Sequence, residues 1–384
     1  MKITNVNCTM VYVPFTKPTL WGSGRRPGAT RLILEVETDT GITGIGETIC
    51  LWEFVEPVTR NILIPMLIGE DPHGIERITR KAEGLGFYHH KRALVAALCG
   101  VEMALWDIIG KEANLPLYKI LGGVFRKKVP MTAYLHIQSP DEMAKEAADF
   151  VARGFTTIKA KVGLDPQMDI EIARAIRGII PPEIKLRIDP NGAWTIGTAK
   201  RQIQKLAQYD LEYIEQPLIL EDLVGHSKLV GQSLVPIALD ESAYTIQDVL
   251  NIIRMGAADV ILVDHHESGG IWSAKKAAAI AEAAGIPCSM HGPGELGIST
   301  AARLHIAAST PNIMLAVDSE YHNMSDDVIT EPFKYDQGTL SPPEGPGLGI
   351  ELDHAKIKKY QVDRIVDAYG DSQHPEWFTV KPTY

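Results

Sequence analysis

The stretch Met131–Lys161, MTAYLHIQSPDEMAKEAADFVARGFTTIKAK, decides the fold that we predict for this chain of 384 residues. It begins with an apolar run typical of a strand and ends with a second such run, TTIKAK. Between them lies an Ala-rich amphipathic segment with Ser139 as a helix start signal and Gly154 as a stop signal. The stretch therefore predicts a strand, a helix and a second strand, the unit that joins neighbouring parallel strands.

The same unit repeats toward the C-terminus. Six further strand-like runs follow, each after a helical segment and each with polar residues at or near its end. They are KLRIDPN, LEYIEQ, PIALDE, ADVILVDHH, IPCSMH and IMLAVDSE. With the two runs of the first stretch they make eight. Eight alternating units favour closure of a parallel sheet, so we predict an α/β fold with a (β/α)7β barrel of the TIM type.

The flanking segments lack this rhythm. LILEVETDTGITGIGET predicts a hairpin and ALVAALCGVEMALWDIIGKEA a helix, which indicates an α+β domain ahead of the barrel. After residue 325 the sequence is rich in turns, as in PPEGPGLGIELD. We predict a capping domain over 1–125, a catalytic barrel over 126–325, and a C-terminal segment over 326–384 that returns to the cap.

Composition restricts the possible partners. The formal net charge is −10 and the pI is near 5.7, which argues against nucleic acid and anionic membranes. The N-terminus lacks the apolar core of a signal peptide, and no uncharged apolar run is long enough to span a membrane. The four cysteines are widely separated, with no metal-binding or redox spacing. We expect a cytoplasmic protein that acts on a small molecule.

Polar residues close the successive strand-like runs at intervals of 23 to 28 residues. A barrel brings the carboxyl ends of its strands to one mouth, where barrel active sites lie. The side chains that we expect to converge there are Lys161, Asp189, Glu215, Glu241, Asp264, His291 and Asp318 or Glu320.

Three of these residues are acids on consecutive strands: Asp189, Glu215 and Glu241. Their carboxylates would repel one another unless protonated or neutralised by a cation, and oxygen ligands suit Mg²⁺. The alternative is that each acid only caps the following helix. Capping does not require acids at successive strand ends, so we predict one Mg²⁺ site.

Lys159 and Lys161 lie two residues apart and therefore on the same face of one strand. Two neighbouring ammonium groups are expected to lower each other's pKa, which would provide a lysine base near neutral pH. The alternative is a pair of solvated lysines, which a buried barrel strand disfavours.

Asp264 and His291 end neighbouring strands, about 4.8 Å apart, so a carboxylate–imidazole hydrogen bond is within reach. His291 also opens HGPGELG, which contains a G-x-G-x-x-G pattern. A dinucleotide fingerprint should open a doubly wound sheet, whereas this one falls in the seventh of eight units. We therefore predict a catalytic histidine here. His265 and His266 are left open between packing and function.

The motifs IKAK, IDPNGAW, YIEQPL, LDES, VDHHESGG and SMHGPGELG resemble those of the enolase superfamily. The tail, AVDSEYHN to GPGLGIELD, is similar to the mandelate racemase and glucarate dehydratase-like branch, and the resemblance covers nearly the whole chain. The superfamily uses a Lys or His base with Mg²⁺ to stabilise an ene-diolate. The resemblance implies that Lys161, beside Lys159, is the base on one face of the substrate, and that His291 with Asp264 acts on the other. It also places Asn191 near the substrate.

In such enzymes the first domain covers the barrel mouth, and its loops set specificity. Here LWGSGRRPGATR offers Trp21, Arg25 and Arg26, and GLGFYHHK offers Tyr88. The two arginines could clamp a distal carboxylate, or they could belong to a solvated basic loop.

The resemblance implies an enzyme that removes the proton α to a carboxylate, stabilises the ene-diolate on Mg²⁺ and releases a β-hydroxyl with help from His291. We therefore expect an acid-sugar dehydratase that forms a 2-keto-3-deoxy acid. The alternatives are a racemase or epimerase, a lactone cycloisomerase, and a barrel that binds an acid without turnover. We also expect a homo-oligomer.

Overall fold

The computed structural model describes residues 1–51, 53–86 and 91–366. These residues form an antiparallel N-terminal cap and a curled parallel sheet of seven strands, followed by a segment that returns to the cap. The predicted α/β architecture is confirmed.

The cap contains a three-stranded antiparallel sheet in the order β1-β2-β3. The strands are β1 (Ile3–Trp21), β2 (Gly24–Thr38) and β3 (Thr43–Ile49). The first two form one long hairpin, paired as far as Trp21 opposite Gly24. From Gly24 onward the segment expected to be a loop is therefore a strand. A Cβ at Gly24 would overlap the Trp21 ring, so glycine leaves room for this ring at the end of the hairpin.

Helices follow the sheet in sequence. They are α1 (Val55–Val58), a π-helical turn (Thr59–Leu63), α2 (Ile64–Leu67), α3 (Ile75–Gly86), α4 (Lys91–Ala113) and α5 (Leu117–Ile120). The central helix α4 is long and apolar enough to cross a membrane, but 83% of its most apolar window is buried. It packs across β3 and β2 and is a core helix of the cap.

The barrel follows. Its elements are β4 (Val129–Pro130), β5 (Ala133–Leu135), α6 (Pro140–Ala152), β6 (Thr157–Lys161), α7 (Pro166–Ile179), β7 (Lys185–Asp189), α8 (Ile196–Leu206), a 3₁₀ turn (Ala207–Tyr209), β8 (Leu211–Glu215), α9 (Leu223–Val230), β9 (Ile237–Leu239), α10 (Ile246–Met255), β10 (Val260–Val263), α11 (His265–Ser268), α12 (Ile271–Ala283), β11 (Cys288–Met290) and α13 (Gly297–Ser309). Strands β5 to β11 pair in parallel, each with its neighbour in sequence. The start predicted at Ser139 is a capping box with Glu142, which fixes the first turn of α6.

The eighth run, IMLAVDSE, closes the sheet without forming a regular strand. On one side Ile313 bridges Cys288, and the Asp318 N–H donates to the carbonyl of Met290 at 3.0 Å. On the other side Val317 bridges Met131. The run therefore lies between β11 and the start of the first barrel strand, and all eight strand ends share one mouth.

The C-terminal segment contains a 3₁₀ turn (Tyr321–Asn323), β12 (Thr339–Leu340), which pairs with β4, and α14 (His354–Tyr360). Beyond α14 the chain reaches the cap, where the Val362 N–H donates to the carbonyl of Met10 at 3.0 Å and Gln361 bridges Val11. This is the predicted return to the first domain. The boundaries placed at 125 and 325 stay predictions.

Candidate active site

A cavity of about 410 Å³ lies between the barrel mouth and the cap. The barrel contributes polar side chains, among them Lys161, Asn191, Glu241, Glu267, His291 and Glu320. The cap contributes a mostly apolar wall, with Trp21, Ile49, Leu51, Val55 and Ala96. Of the side chains expected to converge, Lys161, Glu241, His291 and Glu320 line the cavity, whereas Asp189, Glu215, Asp264 and Asp318 are not among its described lining residues.

The two lysines of β6 have different surroundings. Lys161 lines the cavity, and its ammonium donates to Asp189 and, at 2.8 Å, to Asn191 Oδ1. Lys159 is fully buried and donates to Glu215 and, at 2.7 Å, to Asp318. Only Lys161 is placed to meet a substrate.

The expected lowering of the lysine pKa is wrong for Lys159. Burial alone would lower the pKa of Lys159, but the carboxylates of Asp318 and Glu215 raise it well above its usual value. Attraction to close carboxylates outweighs repulsion from the neighbouring ammonium. Lys159 is therefore a fixed positive charge beneath the cavity floor.

The predicted metal ligands end β7 and β8 and follow β9. Asp189 and Glu215 are fully buried, and Glu241 accepts a hydrogen bond from Asn191 Nδ2 at 2.9 Å. Burial alone would raise the pKa of Asp189, but the ammonium groups of Lys161 and Lys159 hold it below its usual range. Burial and the neighbouring Asp189 raise the pKa of Glu215 well above its usual value. Among the described residues, Glu215 Oε2 and Glu241 Oε2 have no hydrogen-bond partner. Such carboxylate oxygens suit a hard cation such as Mg²⁺, but among the described residues the three ligand atoms of this region that all lie within 4.8 Å of one another belong to Asp240, Glu267 and His291.

Asp240, which precedes Glu241, was missed. It is 1% exposed, and within the described residues neither carboxylate oxygen has a hydrogen-bond partner. Its Oδ2 lies 3.6 Å from His291 Nε2. The adjacent acids of LDES were the available signal, but only the second was taken as the strand-end residue. Asp240 adds a second pair of buried oxygens to the site.

Asp264 and His291 form the predicted pair. His291 Nδ1 lies 2.8 Å from Asp264 Oδ2, and Asp264 also accepts the backbone N–H of His266 at the start of α11. Burial would lower the pKa of His291, but Asp240, the hydrogen bond to Asp264 and Glu267 raise it well above its usual value. Asp264 fixes the ring so that Nε2 is the nitrogen left for a substrate.

Of the two acids on the eighth run, Glu320 lines the cavity and Asp318 does not. Asp318 lies beneath, between Lys159 and Arg187, with Arg187 Nη1 at 3.2 Å. Asp318 therefore contacts the buried lysine, and Glu320 is the acid placed to reach a substrate.

The two predicted cap arginines lie on β2, where successive side chains point to opposite faces. Arg25 and Arg26 are consecutive on the strand, so they point to opposite faces. Arg26 lines the cavity; its Nη2 lies 3.2 Å from the carbonyl oxygen of Pro293 and 3.4 Å from Glu320 Oε2. Arg25 is not among the described residues that line the cavity, so a two-arginine clamp is not formed. Trp21 lines the cavity, and Tyr88 lies outside the described residues.

His265 and His266 are both buried beside the dyad. Ser299 Oγ contacts Nε2 of each ring, and Cys99 Sγ lies 3.5 Å from His266 Nδ1. Burial lowers the pKa of His265 to about 3 and that of His266 well below its usual value. These neutral rings pack the interior behind Asp264.

His136 is a further residue that was missed. It ends the first barrel strand and lines the cavity, and within the described residues neither ring nitrogen has a hydrogen-bond partner. Burial lowers its pKa well below the usual value, so the ring is neutral. The strand-end rule that selected His291 could have selected His136 too.

A barrel with a lysine, carboxylates and a histidine–aspartate pair around one capped mouth is an arrangement suited to proton transfer. The comparisons agree. Residues 4–122 match the N-terminal domain of mandelate racemase and muconate lactonizing enzyme, and residues 142–356 match the enolase C-terminal domain-like family. The chain belongs to the mandelate racemase/muconate lactonizing enzyme family of the enolase superfamily.

Similar proteins in this family catalyse different reactions. The chain is 31% identical to a probable glucarate dehydratase from Streptomyces coelicolor, with 93% of this chain and 90% of the relative covered. It is 32% identical to an L-Ala-D/L-Glu epimerase from Bacillus subtilis, covering 91% and 97%. An enolase from Mycobacterium smegmatis, solved with tartrate, has a TM-score of 0.90 at 27% identity and covers 99% and 98%. These comparisons therefore establish the family of the chain but not the particular reaction that it catalyses.

Proposed function

We propose that the chain is a Mg²⁺-dependent acid-sugar dehydratase. The observation that carries the proposal is the placement of Lys161 and His291 in one cavity. Strands β6 and β11 are separated by four strands on one side and by β5 and the eighth run on the other. The two groups thus approach a substrate from nearly opposite sides of the mouth.

Asp189, Glu215 and Glu241 would hold the cation. When bound, Mg²⁺ supplies positive charge that offsets the negative charge developing on the substrate carboxylate as the α-proton leaves. The buried oxygens that lack partners support this assignment. Relatives solved with magnesium include an enolase from Thermobispora bispora with formate and a dipeptide epimerase from Enterococcus faecalis.

Lys161 Nζ, in its uncharged amine form, accepts the α-proton as the carbon–hydrogen bond breaks. The electron pair moves into the ene-diolate and then expels the β-hydroxyl, which takes a proton from His291 Nε2 and leaves as water. Asp264 holds the imidazole in the tautomer that this transfer needs, and the raised pKa of His291 keeps the ring protonated near neutral pH. The enol tautomerises to a 2-keto-3-deoxy acid.

The same groups also suit a racemase or epimerase, in which His291 would return a proton to the opposite face. A relative that is an epimerase favours this second candidate, and a cycloisomerase on the same site is the third. Dehydration is supported by the likeness of the tail to sugar-acid dehydratases and by the position of His291 in the cavity, where its ring can donate a proton to a departing hydroxyl. A barrel that only binds an acid would not need the opposed Lys161 and His291.

The test is a library of C5 and C6 aldonic and aldaric acids, incubated with enzyme and Mg²⁺. We expect at least one acid to give a 2-keto acid, detected by semicarbazone absorbance. NMR of the same samples detects epimers. Efficient epimerisation of some acid with no keto acid from any would replace dehydration with the epimerase function. Location in the cytoplasm and assembly as a homo-oligomer stay predictions.

A further inference from the structure

A polar corner of the cavity is formed by residues that the proposed reaction does not use. Glu267 lies on the one-turn helix α11, three residues after Asp264, and is only 8% exposed. It lines the cavity, and its carboxylate is within 4.8 Å of ligand atoms of His291 and Asp240. Tyr244 lines the same corner and hydrogen-bonds Glu267. We call Glu267 and Tyr244 the Glu267 corner.

The charges around the Glu267 corner disfavour an ionic ligand group. Glu267 is itself an acid and lies next to Asp240, so the corner disfavours a carboxylate of the ligand. A cation would meet His291 and Arg92, whose guanidinium lies 4.2 Å from the centre of the Tyr244 ring. An uncharged group that both donates and accepts hydrogen bonds meets neither penalty, and a hydroxyl is such a group.

The burial of Glu267 favours a ligand that can hydrogen-bond it. Glu267 is only 8% exposed, and a buried carboxyl group loses free energy when its hydrogen bonds are unmade. A hydroxyl of the ligand can donate to this group.

The cap determines which end group of the ligand the cavity prefers. Arg26, the cationic side chain expected to meet a distal carboxylate, is engaged by Glu320 and by the carbonyl of Pro293. The cap wall beyond it is mostly apolar, with Leu51, Val55 and Ala96, and the cap cation Arg92 lies against the Tyr244 ring. A carbon chain that carries hydroxyls on its barrel side and ends without a charge fits this cavity better than a diacid.

We propose that Glu267 and Tyr244 form a specificity-determining subsite that binds a hydroxyl of the substrate beyond its β-carbon, and that selects aldonic over aldaric acids. The proposal rests on the proposed function, because it takes His291 to face the β-carbon. Glu267, next to His291, then reaches the following carbons.

The test compares hexonic acids with the matched 4-deoxy and 5-deoxy hexonic acids and with the hexaric acids. For the wild type we expect kcat/KM to fall at least about 100-fold when the bound hydroxyl is missing, since a site built to hydrogen-bond a hydroxyl rejects the analogue that lacks it. In Glu267→Ala, kcat/KM for the hydroxylated acid should fall to near the value for the deoxy acid, which itself changes little. Glu267→Gln should keep most of the selectivity because an amide also donates and accepts.

The exposed Glu183→Ala is the matched control and should leave all ratios unchanged. Equal losses in Glu267→Ala on hydroxylated and deoxy acids would show a structural role and overturn the subsite. So would a preference for hexaric acids. If no acid is turned over, the dehydratase proposal fails separately, and calorimetric binding of the same acids with Mg²⁺ still judges the subsite. Indistinguishable affinities for hydroxylated and deoxy acids would then contradict it.

Discussion

At the residue scale, His291 is held between carboxylates that perform different tasks. Asp264 accepts from Nδ1 at 2.8 Å, and Asp240 lies 3.6 Å from Nε2. The first contact fixes the ring, and the second raises the proton affinity of the nitrogen that faces the cavity. The dyad should therefore affect the elimination step more than removal of the α-proton by Lys161.

Asp264→Asn tests this division. Asparagine can still accept the backbone N–H at the start of α11, but it supplies no negative charge to His291. We expect keto acid formation to slow by roughly 100-fold, within the usual range for general acid catalysis, and exchange of the α-proton in D₂O to change by less than about tenfold. Equal losses in both rates would show that the dyad does not act mainly on the leaving group.

Residue-level rules found much of the site and missed particular members. The strand-end rule located Lys161 and His291 because parallel strands end at one mouth. It missed Asp240, which shares a strand end with Glu241, and Glu267, which lies on a helix after the strand. For the cap segment the sequence leaves a clamp of Arg25 and Arg26 and a solvated basic loop as alternatives, because it does not show that the two are consecutive residues of a strand and point to opposite faces. That Arg26 lies on a strand could not be read from a glycine-rich segment.

At the element scale, the cap depends on a close approach of α4 to β3. A Cβ on Gly46 would lie 1.9 Å from the carbonyl oxygen of Gly100. The contact allows the helix to cover β3 directly, but it leaves no room for a side chain.

Gly46→Ala should therefore destabilise the cap by about 1–3 kcal/mol, the usual cost of overpacking. Gly84→Ala is the control, because Gly84 lies on α3 with open space around its Cβ position. That change should be neutral or stabilise by about 0.5–1 kcal/mol. Urea unfolding of both variants measures the difference. A Gly46 variant as stable as the wild type would refute the close packing.

The elements themselves were predictable to different degrees. The βα alternation could be read because buried strands and amphipathic helices have distinct patterns. The extension of β1 to Trp21 and the start of β2 at Gly24 could not be predicted, because Gly and Pro usually mark loops. The eighth run was found as a strand, but it is paired only through bridges at Ile313 and Val317.

At the scale of the whole molecule, His305 joins three parts of the chain. From α13 in the barrel, its Nδ1 accepts the backbone N–H of Tyr118 in the cap at 3.2 Å, and its Nε2 donates to the carbonyl of Leu348 in the C-terminal segment at 3.1 Å. Burial lowers the pKa of His305 to about 4. The folded protein therefore holds a neutral ring that the unfolded chain would protonate below about pH 6.5.

The neutral His305 ring makes its full contribution to the free energy of unfolding above pH 6.5, and this contribution is lost as the pH falls toward 4. Between pH 7 and 4.5 the loss should be roughly 2.5 kcal/mol. In His305→Gln this part of the pH dependence should vanish, so the stability gap to the wild type should narrow as the pH falls. Exposed His354→Gln is the control. Parallel curves for the His305 variant and the wild type would contradict the assignment.

The central claim is that Lys161 removes the α-proton of a carboxylic acid with Mg²⁺ held by Asp189, Glu215 and Glu241. The most direct measurement is NMR of exchange of the α-proton in D₂O, on an acid selected from the library. The wild type with Mg²⁺ should lose the α-proton signal, and dialysis against EDTA should stop this until Mg²⁺ is restored. His291→Asn should still exchange but give little keto acid, whereas Lys161→Ala should not exchange that substrate. Exchange at the wild-type rate in Lys161→Ala, or in the metal-free enzyme, would contradict the account.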